Sequence, residues 1–178
     1  MTSIPSFGPF LAELVLAVAA LALVLIGAVR GENSKSLVDW IAISALALAG
    51  ILVIEQGPGT LQTFNGAFIS DEFARFMKVL TLLGSLAAII LSSGYMRDEK
   101  FARFEYAILI VLSTLGMMVM ISANELISLY LGLELQSLAL YVVAAFHRDN
   151  TKSTEAGLKY FVLGALSSGL LLYGASLI

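Results

Sequence analysis

Residues 126–146 read LISLYLGLELQSLALYVVAAF. As a helix rising about 1.5 Å per residue, this stretch is long enough for a hydrocarbon core about 30 Å thick. It carries a single charge, Glu134. Counted from Leu126, that carboxylate lies about 12 Å in, close to mid-membrane. An ionised carboxylate at that depth costs about 3 kcal/mol on insertion scales, so Glu134 needs a partner, a proton or water. Tyr130, Glu134, Ser137 and Tyr141 follow i, i+4, i+7 and i+11 and share one helix face, while Gln136 points elsewhere. That face is expected to turn toward protein or water, and the rest toward apolar packing or lipid.

The composition agrees with a membrane location. Of 178 residues, 59% are hydrophobic and 13% charged, against a soluble norm of about 45–50% and 25%. The expected fold class is all-α, a polytopic transmembrane helix bundle of about six spans. Those spans are 7–29, 37–54, 76–95, 106–122, 126–146 and 155–178, in one membrane domain 1–178. The ten Lys and Arg residues form no dense basic cluster, so nothing points to a nucleic-acid partner. There is no cysteine and one histidine, which argues against thiolate, iron–sulfur or His-cluster metal sites.

The connections carry most of the charge. GENSKS (31–36) joins the first two spans. The longest connection, 55–75, holds Gly57-Pro58-Gly59 and Asn65-Gly66, which are turn signals, and is expected to form an ordered surface loop. MRDEKFARFE (96–105) mixes both signs and reads as a solvated loop with local ion pairs. Only Ala123, Asn124 and Glu125 separate spans four and five, so these two are antiparallel neighbours. Alternate loops hold Arg30, Lys35, Arg97, Lys100, Arg103, Arg148 and Lys152, and the opposite side holds Arg75 and Lys78. By the positive-inside rule the N-terminus faces outward.

Two further charges fall within spans. Glu13, in the first two turns of span one, reads as a carboxylate near the interface or one satisfied by a neighbouring helix. Lys159 lies in the sixth stretch, with Glu155 four residues before it. It either snorkels to the interface or turns inward to face Glu134. Gly157, Gly164, Ala165, Ser168 and Gly169 would let that helix approach its neighbours closely. The chain stops inside an apolar stretch, and one carboxylate with one lysine makes no complete path, so a fragment of a longer subunit is expected.

Several motifs carry a family resemblance: STLGMM (113–118), SANEL (122–126), LGLELQSLALYV (131–142), KYFVLGALSSG (159–169) and DEFARFMKVLTLLGS (71–85). Together they resemble the antiporter-like, proton-translocating membrane subunits of respiratory complex I, the bacterial NADH–quinone oxidoreductase, and within them the subunit N branch. The L and M branches and the Mrp-type antiporters typically carry Trp-Glu where this chain has Leu133-Glu134. The resemblance implies an inverted-repeat fold whose first repeat opens at the fourth helix, with this chain supplying about the first third of the subunit. It matches Glu134 and Lys159 to the family's fifth-helix glutamate and sixth-helix lysine. Approach and withdrawal of the lysine would then move a proton on and off Glu134 as a charge switch driven by quinone reduction elsewhere. Tyr130, Ser137, Tyr141 and His147 are candidate relay groups. The implied partners are the other membrane subunits of complex I and the lipid bilayer, in a bacterial cytoplasmic (inner) membrane. The implied cofactors, NADH, FMN, iron–sulfur clusters and quinone, sit on other subunits, and none is expected on this chain. An Mrp-type cation/proton antiporter subunit and a non-catalytic structural membrane anchor are the alternatives.

Overall fold

The structure, a computed structural model, describes residues 8–57, 59–98, 101 and 103–178, apart from the side chains of Glu32 and Asn33. Six helices dominate: α1 Leu11–Arg30, α2 Lys35–Glu55, α3 Glu72–Asp98, α4 Glu105–Ser122, α5 Leu126–Ala144 and α6 Thr151–Ala175. All six are long and apolar enough to cross a membrane. The element limits differ from the sequence expectation most at α3, which runs Glu72–Asp98 rather than 76–95 and so takes in residues 96–98 of the expected 96–105 loop (99, 100 and 102 lie outside the described residues), and at α6, which starts at Thr151 rather than 155. Asn150 caps it there: its side-chain oxygen accepts from the Lys152 N–H at 3.0 Å, which satisfies one of the free donors of the first turn. At the other end of α5, Ala145 and Phe146 leave the helix for the turn to α6.

Helix α4 is the hub. It packs on α1, α2, α3 and α5, and half of its span is buried, against about a tenth for α6. Each neighbour shows α4 or one another a stripe at helical spacing. On α1 it is Ala12, Leu16, Ala20, Leu23 and Gly27; on α2 it is Val38, Ala42, Leu46, Ala49 and Val53. Small residues on these stripes bring the backbones close, where dispersion contacts rather than water exclusion hold helices together. Backbone meets backbone most closely between α4 and α5. A Cβ added to Gly116 would lie 2.5 Å from the Gln136 amide nitrogen, and one on Gly132 would lie 2.8 Å from that of Met120. The two helices are the antiparallel pair that their three-residue connection predicts.

The long 55–75 connection contains a short antiparallel hairpin, β1 Leu61–Thr63 with β2 Phe68–Ser70, paired Leu61↔Ser70 and Thr63↔Phe68. Its turn uses three successive left-handed residues, Phe64, Asn65 and Gly66, with φ of 52°, 56° and 90°. The hairpin lies over one end of the bundle. Phe10, just before α1, meets Phe64 and Phe68 edge-to-face at 5.5 and 5.3 Å between centroids. Gln56 Nε2 donates to the Pro9 carbonyl at 3.2 Å and Ser70 Oγ donates to Gln56 Oε1 at 2.8 Å. Arg75 donates to the carbonyls of Gly57 and Gly59 at 2.8 and 3.0 Å. The hairpin also reaches the α4–α5 turn: the Asn124 N–H donates to the Ala67 carbonyl at 2.9 Å and Asn124 Nδ2 to that of Gly66 at 2.8 Å.

Candidate functional site

Glu134 sits eight residues into α5, on the face turned to α6. Ser168 Oγ of α6 donates a hydrogen bond to Glu134 Oε1. Tyr130, one turn before Glu134, brings its hydroxyl 3.0 Å from the same Ser168 Oγ. Two hydroxyls and a carboxylate thus stand in series between two helices. Such a chain can pass a proton along itself without exposing a bare charge to hydrocarbon. Ser168 appeared in the sequence only as a small residue on the sixth stretch. Its role depends on which part of α6 faces Glu134, and that is set by packing.

Lys159 does not join this group. Its Nζ lies 2.5 Å from Glu155 Oε1, one turn earlier on α6, and both side chains are more than half exposed. Helix geometry explains the separation. Ser168 marks the level of α6 that faces Glu134. Lys159 is nine residues away, about 13.5 Å along the axis and about half a turn around it. A lysine side chain cannot cover that distance from the opposite face.

The remaining residues of the α5 face have separate surroundings. Tyr141 is buried, edge-on to Tyr160 and Phe161 with centroids 4.8 and 5.7 Å away. Its hydroxyl packs directly on Gly164, where a Cβ would collide with it. Ser137 is half-buried. Gln136 turns to α4, and its Oε1 is buried without a hydrogen-bond partner among the described residues. His147, just past α5, is half-buried and stacks on Phe101 at 4.5 Å with 11° between planes.

A second acid–base pair stands near the hairpin end of the bundle. Glu13 Oε1 of α1 lies 2.6 Å from Lys78 Nζ of α3, and both side chains are fully enclosed. Lys78 Nζ also sits 4.6 Å from the centroid of the Phe68 ring, a cation–π contact made by the hairpin. Glu13 is therefore satisfied by a neighbouring helix. The signal for Lys78 was its phase. Ala74, Lys78, Leu82, Ser85 and Ile89 are all buried on α3 and recur every three or four residues. In the charge count Lys78 stood with Arg75 as a residue of the side opposite the basic-rich loops, whereas the structure encloses it between helices. Two turns further along that stripe, Thr114 Oγ1 of α4 meets Ser85 Oγ at 2.6 Å, and Ser85 Oγ donates to the Thr81 carbonyl at 3.0 Å. Among the described residues, no group of three or more His, Cys, Asp or Glu is placed to hold a metal ion.

Comparison with known proteins agrees with this architecture. Residues 123–178 match the family described as NADH:quinone oxidoreductase/Mrp antiporter, TM. NADH-quinone oxidoreductase subunit N of Methylobacterium nodulans is 62% identical over 98% of this chain, and that of Azorhizobium caulinodans is 58% identical over the same share. The chain spans 36% and 37% of the length of these two relatives. A chain in the structure of respiratory complex I from Thermus thermophilus with bound aureothin superposes with a TM-score of 0.77 at 32% identity, covering 93% of this chain and 36% of that one. Over essentially its whole length the chain resembles subunit N of NADH-quinone oxidoreductase, an antiporter-like membrane subunit, and spans about a third of it.

Proposed function

We propose that these six helices open a longer proton-translocating subunit in the membrane arm of a respiratory NADH:quinone oxidoreductase. The observation that carries this reading is the Tyr130–Ser168–Glu134 chain, a hydrogen-bonded carboxylate in the span that the family model also matches. In this reading Glu134 takes up and releases the proton, and Ser168 and Tyr130 hold and relay it. Ser137, Tyr141 and His147 continue the candidate route along α5 toward the end rich in Lys and Arg, which is the cytoplasmic end in a bacterial inner membrane.

Lys159 is the second charge of the proposed switch. In the present packing Glu155 holds it, so the switch requires Lys159 to leave Glu155 and α6 both to turn and to slide along α5, which would release Ser168 from Glu134. A conformational change driven by quinone reduction on other subunits would supply that motion. NADH, FMN, iron–sulfur clusters and quinone belong to those other subunits. Secondary cation/proton antiport is the second reading, because the matched family description includes Mrp antiporters. Sodium-dependent exchange without NADH oxidation would favour it.

The test is proton pumping against NADH-driven quinone reduction in vesicles, wild type beside Glu134→Gln, with assembly followed on a native gel. Intact assembly with lost pumping or lost coupled turnover supports the role of Glu134. Intact assembly with unchanged protons per electron would make Glu134 a structural carboxylate.

A further inference from the structure

Where α2 begins and α3 ends, the two antiparallel helices leave a cleft of about 470 Å³. Its mouth is polar and its floor is apolar. Lys35, the first residue of α2, and Arg97, next to last in α3, stand at the mouth with Asp39. Trp40 lines the same mouth and is 70% exposed. Ile43 and Ile89 form the floor. Each isoleucine is eight residues from the cation on its own helix, so the cleft runs about 12 Å along the helix axes, from the helix ends inward.

The charges decide what fits. Lys35 and Asp39 are spaced i, i+4 on α2 and offset one another. Arg97 makes no hydrogen bond or ion pair with any described residue. Among the residues that line the mouth, Lys35 and Arg97 against Asp39 leave one net positive charge, and Arg97 presents it on a planar fork of N–H donors, which suits a single phosphodiester. A free phosphate would match the mouth and leave the isoleucine floor unused. A zwitterionic lipid carries its own cation beside its phosphate and gains less from Arg97. The exposed tryptophan at this depth is the side chain that anchors at the headgroup layer.

We propose that this α2–α3 cleft is a binding site for an anionic phospholipid. Arg97 and Lys35 hold its phosphate, Trp40 flanks its glycerol region, and Ile43 and Ile89 receive the start of its acyl chains. Basic pockets between transmembrane helices recognise acidic headgroups by this combination of charge and depth. The site is independent of the proton chemistry proposed for Glu134.

The test uses the subunit in its native membrane assembly, purified and reconstituted into vesicles. One set contains a photoactivatable phosphatidylglycerol and the other the same probe as phosphatidylcholine. Cross-linked peptides are mapped after illumination, and assembly is checked on a native gel. The expected result is labelling of the Lys35–Ile43 peptide several-fold stronger with the anionic probe. Loss of each cation, in Arg97→Gln and Lys35→Gln, lowers that labelling about fivefold, while Arg97→Lys restores most of it. Trp40→Leu, which leaves both cations in place, lowers it less. Equal labelling by the two probes, no labelling at this cleft, or unchanged labelling in Arg97→Gln would each overturn the proposal. Displacement of the anionic probe by millimolar inorganic phosphate would also overturn it, and would reassign the mouth to a free anion.

Discussion

Glu13 on α1 and Lys78 on α3 face each other at 2.6 Å with neither side chain reaching the surface. The hairpin residue Phe68 lies against the ammonium and closes the pair from above. The pair thus joins two helices and the hairpin at one point. Burying two charges is expensive, and their mutual attraction returns that cost only while both remain.

The first prediction follows from this asymmetry. Lys78→Met strands the Glu13 charge and should lower stability by about 3–5 kcal/mol. Glu13→Leu combined with Lys78→Met removes both charges and should recover most of that loss. Thermal unfolding of the detergent-purified subunit, single variants beside the double, measures the difference. A double variant no more stable than Lys78→Met would show that the pair is not a simple electrostatic match.

Ser168 is the hydroxyl that bridges Tyr130 and Glu134. Ser168→Ala should reduce protons pumped per electron without blocking assembly, and by less than Glu134→Gln does. Because the three groups form one hydrogen-bonded unit, adding Ser168→Ala to Glu134→Gln should change little further. Additive losses in the double variant would place Ser168 outside the chain that Glu134 uses.

Gly116 and Gly132 let α4 and α5 touch backbone to backbone. Gly116→Ala places a methyl carbon 2.5 Å from the Gln136 nitrogen and should destabilise by about 1–3 kcal/mol through forced separation of the helices. Gly84 on α3 has nothing within 4 Å of an added Cβ, so Gly84→Ala should be neutral or slightly stabilising. Chemical denaturation of both variants checks the contrast. Equal responses would mean that the close α4–α5 contact does not limit stability.

Thr114 is completely buried, and its hydroxyl reaches Ser85 at 2.6 Å and the Ile110 carbonyl at 2.7 Å. Thr114→Val keeps the shape and removes the bonds, with an expected cost of about 1 kcal/mol. The Ser85 hydroxyl retains its bond to the Thr81 carbonyl, so no further donor is stranded. A stability curve indistinguishable from wild type would show that this interhelix bond contributes nothing net.

The six spans were legible because helices in lipid satisfy their own backbone groups, so apolar runs of sufficient length declare themselves residue by residue. The antiparallel α4–α5 pair followed from a connection too short for any other arrangement. Glu134 stood out for the same local reason, as one charge in an otherwise apolar run. The hairpin over 61–70 was legible only as an ordered connection with turn signals. Its strands have three residues each, too few for an alternating pattern, and they are held by nearby Gln56 and by Phe10 and Asn124, which lie far away in the chain.

The sequence by itself determined the fold class and singled out Glu134 as the one charge in its span. Tertiary structure alone decided the partners. The register between α5 and α6, set where Gly157 meets Ala145 and Gly164 meets Tyr141, presents Ser168 to Glu134 and leaves Lys159 with Glu155. The packing of α1 and α3 on a common hub brings Glu13 to Lys78 across 64 intervening positions. Periodicity fixes which way a side chain points from its own helix axis. How far one helix slides along another depends on the fit of both surfaces, and no single helix's pattern encodes that.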